Sequence, residues 1–262
     1  MSDSTLRADY HSPDRRIGRP ARSAPTLVFY LKLLKIIYRG ARAGRRGNYT
    51  GLRWIQDSRE VLSALESVGI QVTLENTGSF INLPSTCVFV GNHMSVLETF
   101  LLPGLIRPYR KITFVIKRTL ITYPVFKDIM VSCRPIVVAR ENPRQDLETV
   151  LREGEKRLKA STSVIIFPQT TRSVSFDPAQ FNSLGVKLAR RAGVPIIPIA
   201  LKTDAWGNGR LLKDFGRISP GMPVYFSFGE PITVTGNGRA AQESTIQFIS
   251  GKLREWKAPV SL

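Results

Sequence analysis

The chain has 262 residues, 42% of them apolar, which is enough for one good-sized core and excludes a protein made only of disordered tail. Lysine and arginine total 38 against 20 aspartate and glutamate, a net charge of +18 that calls for an anionic partner: nucleic acid, acidic lipid headgroups or a phosphorylated small molecule. The two cysteines, Cys87 and Cys133, lie outside any CxxC or Cys/His cluster, so no disulfide framework or structural zinc is expected and a reducing compartment fits.

Residues 1–25 are rich in Arg, Ser and Pro, lack the apolar stretch of a secretory signal, and are expected to form a disordered basic tail. Residues 26–46 then set Leu27, Val28, Phe29, Leu31, Leu33, Leu34, Ile36 and Ile37 against Lys32, Lys35, Arg39 and Arg42, the pattern of a basic amphipathic helix. A second helical pattern covers 53–68 and stops at Gly69. Together, residues 26–72 are expected to be an N-terminal helical pair resting on a membrane surface with acidic lipids, where each nearby cation is worth about 1 kcal/mol; an ordinary surface helix fits the same pattern. No segment has the roughly 18 to 20 uninterrupted apolar residues of a spanning helix.

From residue 80 short apolar runs alternate with helical stretches. Strands are expected at 87–91, 112–116, 135–139, 164–167, 195–201 and 223–228, and helices at 95–106, 123–131, 144–160, 180–192 and 240–256. This alternation predicts a single α/β domain over 73–262, a largely parallel mixed sheet flanked by helices.

Ligands of such sheets bind beyond the carboxyl ends of the strands, and here those ends are unusually polar. The first strand runs into Asn92 and His93, the second into Lys117 and Arg118, the third into Arg140, and the fourth into Gln169, Thr170, Thr171 and Arg172. His93 precedes a helix start, whose partial positive charge favours a neutral imidazole, the form a general base needs; Glu98 is close enough in sequence to orient it. Two other readings stay open. Ser95-Val96-Leu97-Glu98 also matches the S-x-x-E capping box, and a histidine at a strand-to-helix turn is often simply hydrogen-bonded there. Single arginines, likewise, are commonly solvated or in ion pairs. No G-x-S-x-G elbow, H-E-x-x-H pair or P-loop occurs, which leaves a His-activated hydroxyl with cations holding an anionic substrate.

Four blocks carry a family resemblance. GNHMSVLETF at 91–100 resembles the H-x4-D block of the glycerolipid acyltransferases, the family of glycerol-3-phosphate and lysophosphatidic acid acyltransferases. IKRTLITYPVFKDIMVSCRPIVVAR at 116–140 resembles its second stretch, FPQTTRS its FPEGTRS block, and GVPIIPIAL at 193–201 its proline-rich fourth strand, in the family's order over about residues 60–230. The resemblance implies that His93 takes the proton of an acceptor hydroxyl, which attacks the thioester of acyl-CoA or acyl carrier protein without an acyl-enzyme, while Glu98 orients the ring. It implies that Arg140, Arg172 and Lys117 hold the acceptor's phosphate, with Arg118 able to serve in place of Lys117, and that Gln169, Thr170 and Thr171 line the acceptor site, Thr171 reading equally as a turn hydroxyl. Two departures stand out: Glu98 replaces the family's aspartate, and Gln169-Thr170 replace Glu-Gly, changes expected to alter which acceptor fits.

The expected function is therefore an O-acyltransferase acting on a lysophospholipid, 1-acylglycerol-3-phosphate foremost, needing no cofactor or metal beyond its thioester co-substrate, and held as a monotopic protein on the cytoplasmic face of a membrane. A catalytically silent lipid-binding member of the same fold is the alternative. Nucleic acid is not an expected partner, since no RRM, helix-turn-helix, KH or zinc motif occurs.

Overall fold

The structure, a computed structural model, describes residues 9–123, 126–169, 171–209 and 213–261. In chain order its strands are β1 (Tyr10–His11), β2 (Val72–Glu75), β3 (Val88–Gly91), β4 (Lys111–Lys117), β5 (Ile136–Val138), β6 (Thr162–Ile166), β7 (Ile196–Lys202) and β8 (Val224–Phe228). Its helices are α1 (Arg19–Ser23), α2 (Pro25–Arg45), α3 (Gly51–Glu66), α4 (Gly78–Ile81), α5 (Leu97–Ile106), α6 (Thr119–Thr122), α7 (Lys127–Ser132), α8 (Pro143–Lys159), α9 (Leu184–Ala192) and α10 (Arg239–Glu255). The strands form one sheet in the order β1-β2-β8-β7-β3-β6-β4-β5. β7, β3, β6, β4 and β5 run parallel, β8 is antiparallel to β7 but parallel to β2, and β1 closes the edge antiparallel to β2. The expected α/β domain with a largely parallel mixed sheet is what the chain forms.

Apolar runs of four to seven residues make the inner strands, because a strand covered by helices on both faces has no solvent side to keep polar. β3 illustrates the division. Phe89 points into a core shared with α2, α3 and α5, whereas Val88 and Val90 point into a second core shared with α8, α9 and α10. The helices sit close to their neighbours where small residues allow it: at Gly104 of α5 a Cβ would come within 2.5 Å of Ser58 Oγ on α3, and the Gly104 N–H donates to that hydroxyl at 2.8 Å.

The N-terminal region needs three corrections. The expected disordered tail is ordered over residues 9–24, as β1 and α1; residues 1–8 lie outside the described residues. The reason is a remote partner: the buried Glu66 carboxylate at the end of α3 accepts from the Tyr10 hydroxyl and, at 2.8 Å, from the Ser12 hydroxyl, and pairs with Arg15 at 3.2 Å. Burial and the Glu66 charge push the Tyr10 phenol up to about 12. Second, the boundary drawn at 72/73 falls inside β2, whose four residues were too short to register as a strand. α2 is not separate from the domain either, since Phe29, Leu33, Ile36 and Ile37 belong to the same core as Phe89 and Phe228. Third, the helix expected at 123–131 is α6 and α7 around Tyr123, with residues 124 and 125 outside the described residues.

α2 begins with Pro25 at its first turn and ends with Arg42 and Arg45, as the helix dipole favours. Its outer face exposes Leu27, Leu31, Leu34 and Tyr38, each 49% to 61% accessible. Among the described residues no helix is long and apolar enough to cross a membrane.

Glu66→Ala should strip the buried Ser12 hydroxyl and the half-buried Tyr10 hydroxyl of their acceptor, costing about 2 to 4 kcal/mol and speeding cleavage within residues 9–24. Urea unfolding and limited proteolysis check this, and an unchanged midpoint would mean that Glu66 does not hold the segment.

Candidate active site

β3 enters the site through a tight passage. A Cβ on Gly91 would lie 3.0 Å from the Ile199 carbonyl oxygen, so any larger residue would push the two strands apart by a few tenths of an ångström. Asn92, fully covered, then continues the ladder with its side chain: its amide oxygen accepts from Leu201 N–H at 2.8 Å and its amide nitrogen donates to Leu201 C=O at 2.7 Å. His93 leaves the sheet from this fixed point.

The loop after β6 holds His93 from the other side. The His93 N–H donates to Gln169 Oε1 at 2.7 Å, and the His93 carbonyl accepts from Ser173 N–H at 2.9 Å. The imidazole stacks on Phe167, with ring centres 4.5 Å apart and planes 6° from parallel. Its Nδ1 is 3.4 Å from Glu98 Oε2, close enough for an electrostatic contact but without the alignment of a hydrogen bond.

Glu98 is wholly buried at the start of α5. It accepts from Met94 N–H at 2.8 Å, from Ser95 N–H at 3.0 Å and from the Thr203 hydroxyl at 2.7 Å. The carboxylate half of the capping box, Glu98 reaching back to Ser95 N–H, and the facing of His93 are therefore both present, made by one carboxylate, while the Ser95 hydroxyl accepts from Leu97 N–H at 3.1 Å and leaves the box without its reciprocal bond. Burial pushes the Glu98 carboxyl up, but the imidazole, the Ser95 N–H and the Thr203 hydroxyl outweigh it and hold the group below its ordinary 4.5. Thr203, just after β7, carries no signal in the sequence: a threonine after an apolar strand gives no local sign that it will meet a carboxylate from the start of α5.

The remaining candidates spread along the same sheet edge. Gln169 is 7% exposed and turned to the His93 backbone, so its first task is to hold the histidine. Arg172, in the same loop, pairs with Asp214 at 2.7 Å. Thr171 is exposed, and Thr170 lies outside the described residues. Lys117 ends β4 and Arg140 follows β5, both exposed; in the order β3-β6-β4-β5 they stand two and three strand spacings from β3, about 10 and 14 Å. Arg140 has a left-handed backbone, φ 61°, stabilised by Asp146, whose carboxylate accepts from Ala139 N–H at 3.0 Å and Arg140 N–H at 2.8 Å. Among the described residues no group of three or more His, Cys, Asp or Glu is arranged to hold a metal.

A carboxyl held below its ordinary value stabilises the fold fully above that value and loses the contribution as pH falls through the folded one. Glu98→Gln should therefore cost a constant amount above about pH 5, roughly 1 to 3 kcal/mol, and the gap to the wild type should narrow as pH drops below 4.5. Unfolding curves between pH 7 and pH 3 test this; a gap that stays constant throughout would contradict it.

A sequence profile of the Acyltransferase family matches residues 72–202, half of the chain. The chain is 35% identical over 120 residues to the 1-acyl-sn-glycerol-3-phosphate acyltransferase of Pseudomonas aeruginosa, covering 45% of this chain and 46% of that protein. It is 28% identical over 167 residues to the 1-acyl-sn-glycerol-3-phosphate acyltransferase of Cocos nucifera, covering 63% and 51%, and 31% identical over 134 residues to the chloroplastic enzyme BAT2 of Brassica napus, covering 50% and 37%. The matches thus span about half, or less, of the length of these curated relatives. In fold the chain resembles the crystal structure of the 1-acyl-sn-glycerophosphate (LPA) acyltransferase PlsC from Thermotoga maritima, with a TM-score of 0.66 over 93% of this chain and 99% of that one, at 19% identity. The matched span runs from β2 to the end of β7 and takes in His93, Glu98, Gln169 and Arg172, and the chain belongs to the Acyltransferase family.

Proposed function

We propose that the protein transfers a fatty acyl group from the thioester of acyl-CoA or acyl carrier protein to the free hydroxyl of 1-acylglycerol-3-phosphate. The observation that carries this reading is the His93–Glu98 pair, an imidazole with one nitrogen 3.4 Å from a buried carboxylate and its backbone gripped from two loops. With Nδ1–H turned to Glu98, Nε2 is the nitrogen left to accept a proton. It takes the proton of the acceptor hydroxyl as the oxygen attacks the thioester carbonyl. The tetrahedral intermediate then expels the thiolate, which receives that proton from the imidazolium, so no acyl-enzyme forms. The names of the curated relatives support the acceptor, and the cations at the strand ends suit its phosphate and the phosphates of the donor.

The departures at 98 and 169 do not favour the silent alternative. Glu98 still faces His93, and the Gln169 amide oxygen receives the His93 N–H as a carboxylate oxygen would.

The outer face of α2 supports a monotopic attachment to a membrane with acidic lipids, on the cytoplasmic side where such thioesters are made. Sinking Leu27, Leu31 and Leu34 into the interface is worth about 1 kcal/mol each, and exposed Lys35, Arg42 and Arg46 add about 1 kcal/mol apiece at an acidic surface. The acyl chains of donor and acceptor would then reach the sheet edge without crossing water.

Thiol release from a panel of acyl-CoA and acyl carrier protein donors, with lysophosphatidate in liposomes, should depend on acceptor. It should fall at least about a hundredfold in His93→Ala, with a diacyl product seen by mass spectrometry in the wild type alone. Acyl-CoA without acceptor should leave the protein mass unchanged; a stable adduct would overturn the direct mechanism. For attachment, Leu31→Glu with Leu34→Glu should reduce sedimentation with phosphatidylglycerol vesicles more than tenfold while leaving the melting temperature near the wild-type value. Equal sedimentation would remove α2 as the anchor.

A further inference from the structure

The arginine of the FPQTTRS block has a partner that no motif marks. Arg172 Nη2 is 2.7 Å from Asp214 Oδ1, and only 16% and 22% of the two side chains are exposed. Asp214 belongs to the segment between β7 and β8, and the described residues of that segment, 203–209 and 213–223, are tied to one another and to their surroundings by hydrogen bonds. The Trp206 indole N–H donates to the Asp214 carbonyl at 3.2 Å, while Gly207 N–H to Arg217 C=O and Ser219 N–H to Ala205 C=O, both 2.9 Å, knit its two arms. At its root Thr203 donates to Glu98, and the Asn208 amide donates at 3.2 Å to the carbonyl of Met94, the residue after His93. On its outer side the Tyr30 hydroxyl of α2 donates to Gly216 C=O at 2.6 Å. One segment therefore sets the place of the Asp214 carboxylate and supports the His93–Glu98 pair.

An ion pair between exposed side chains contributes little, but here a covered carboxylate on a pinned segment meets a planar fork of five N–H donors. Contact at one nitrogen draws the guanidinium towards the segment after β7 and leaves its other N–H donors for a second anion. We propose that Asp214 is a positioning residue for the acceptor: it aims the Arg172 guanidinium so that its remaining edge meets the phosphate of the acceptor while His93 meets the hydroxyl. This rests on the acyltransferase reading and extends it to the residue that orients the phosphate ligand.

Asp214→Asn keeps the side-chain volume and removes the charge. It should raise KM for lysophosphatidate about tenfold, with kcat within about twofold and KM for the acyl donor unchanged. Asp214→Glu should recover part of the loss. In an Arg172→Ala background Asp214→Asn should add nothing further, since its effect passes through the guanidinium. The same cycle is read by calorimetry with a soluble short-chain lysophosphatidate, which needs no turnover. Wild-type protein that binds this ligand but turns over with no donor would sink the proposed activity, while the binding cycle still decides the role of Asp214. An unchanged KM and Kd in Asp214→Asn would overturn the inference. So would a loss additive with Arg172→Ala, a parallel fall in donor KM, kcat and melting temperature, or a wild type that does not bind the ligand.

Discussion

A carboxylate with no access to water has to be neutralised where it stands, and much of this molecule's central architecture follows from doing that for Glu98. The loop after β3 supplies the imidazole of His93 and the backbone N–H groups of Met94 and Ser95, α5 supplies the favourable end of a helix dipole, and β7 leads to the Thr203 hydroxyl. The donors come from the loop after β3 and from Thr203, 105 residues away from Glu98, so the charge is tolerable only when β3, β7 and α5 are in register.

The second organising fact is that the amphipathic helix α2 is built into the domain. Phe29 is fully buried, edge-on to Trp206 with ring centres 4.9 Å apart, and Trp206 in turn stacks on Phe100 of α5 at 5.4 Å. The helix thus has two apolar faces with different duties, one closing the core and one turned outward. A residue's place on α2 determines which role it serves: Leu33 and Leu34 are neighbours in sequence, yet one is 1% and the other 49% exposed.

What the sequence made legible was whatever is written locally. Six strands, β3 to β8, read as apolar runs, six of the helices (α2, α3, α5, α8, α9 and α10) as periodic stretches, His93, Gln169 and Arg172 as polar residues where strands end, and Glu98 as the acid that follows His93. What it did not make legible depends on partners far along the chain. β1 and β2 are two and four residues long and exist because β8 and Glu66 receive them; Ser12 meets Glu66 across 54 residues. Thr203 reaches Glu98 across 105 residues, and Asp214 reaches Arg172 from a segment with no motif. Glu98 itself was read as either a cap or an orienter, a choice that dissolves because two carboxylate oxygens serve both. Gln169 was read as lining the acceptor site, but it first reaches back to the His93 backbone, a contact set by loop geometry that spacing does not encode.

The contacts between α2 and the segment after β7 have a consequence for the order of events during synthesis. Thr26 of α2 is hydrogen-bonded to Ile218, a residue 192 positions later. At usual translation rates the helix waits roughly 10 to 40 s for that partner to leave the ribosome. Throughout that interval the part of its inner face that Trp206 and Ile218 later cover is open along with the outer face, and the basic side chains of the helix already suit an acidic lipid surface. If α2 is the membrane anchor proposed above, the nascent chain would meet the lipid with a wider apolar surface than the folded protein has, and the later arrival of Trp206 and Ile218 would withdraw part of it while leaving the outer face in place. Folding of the domain would in this way set how deeply its own anchor lies.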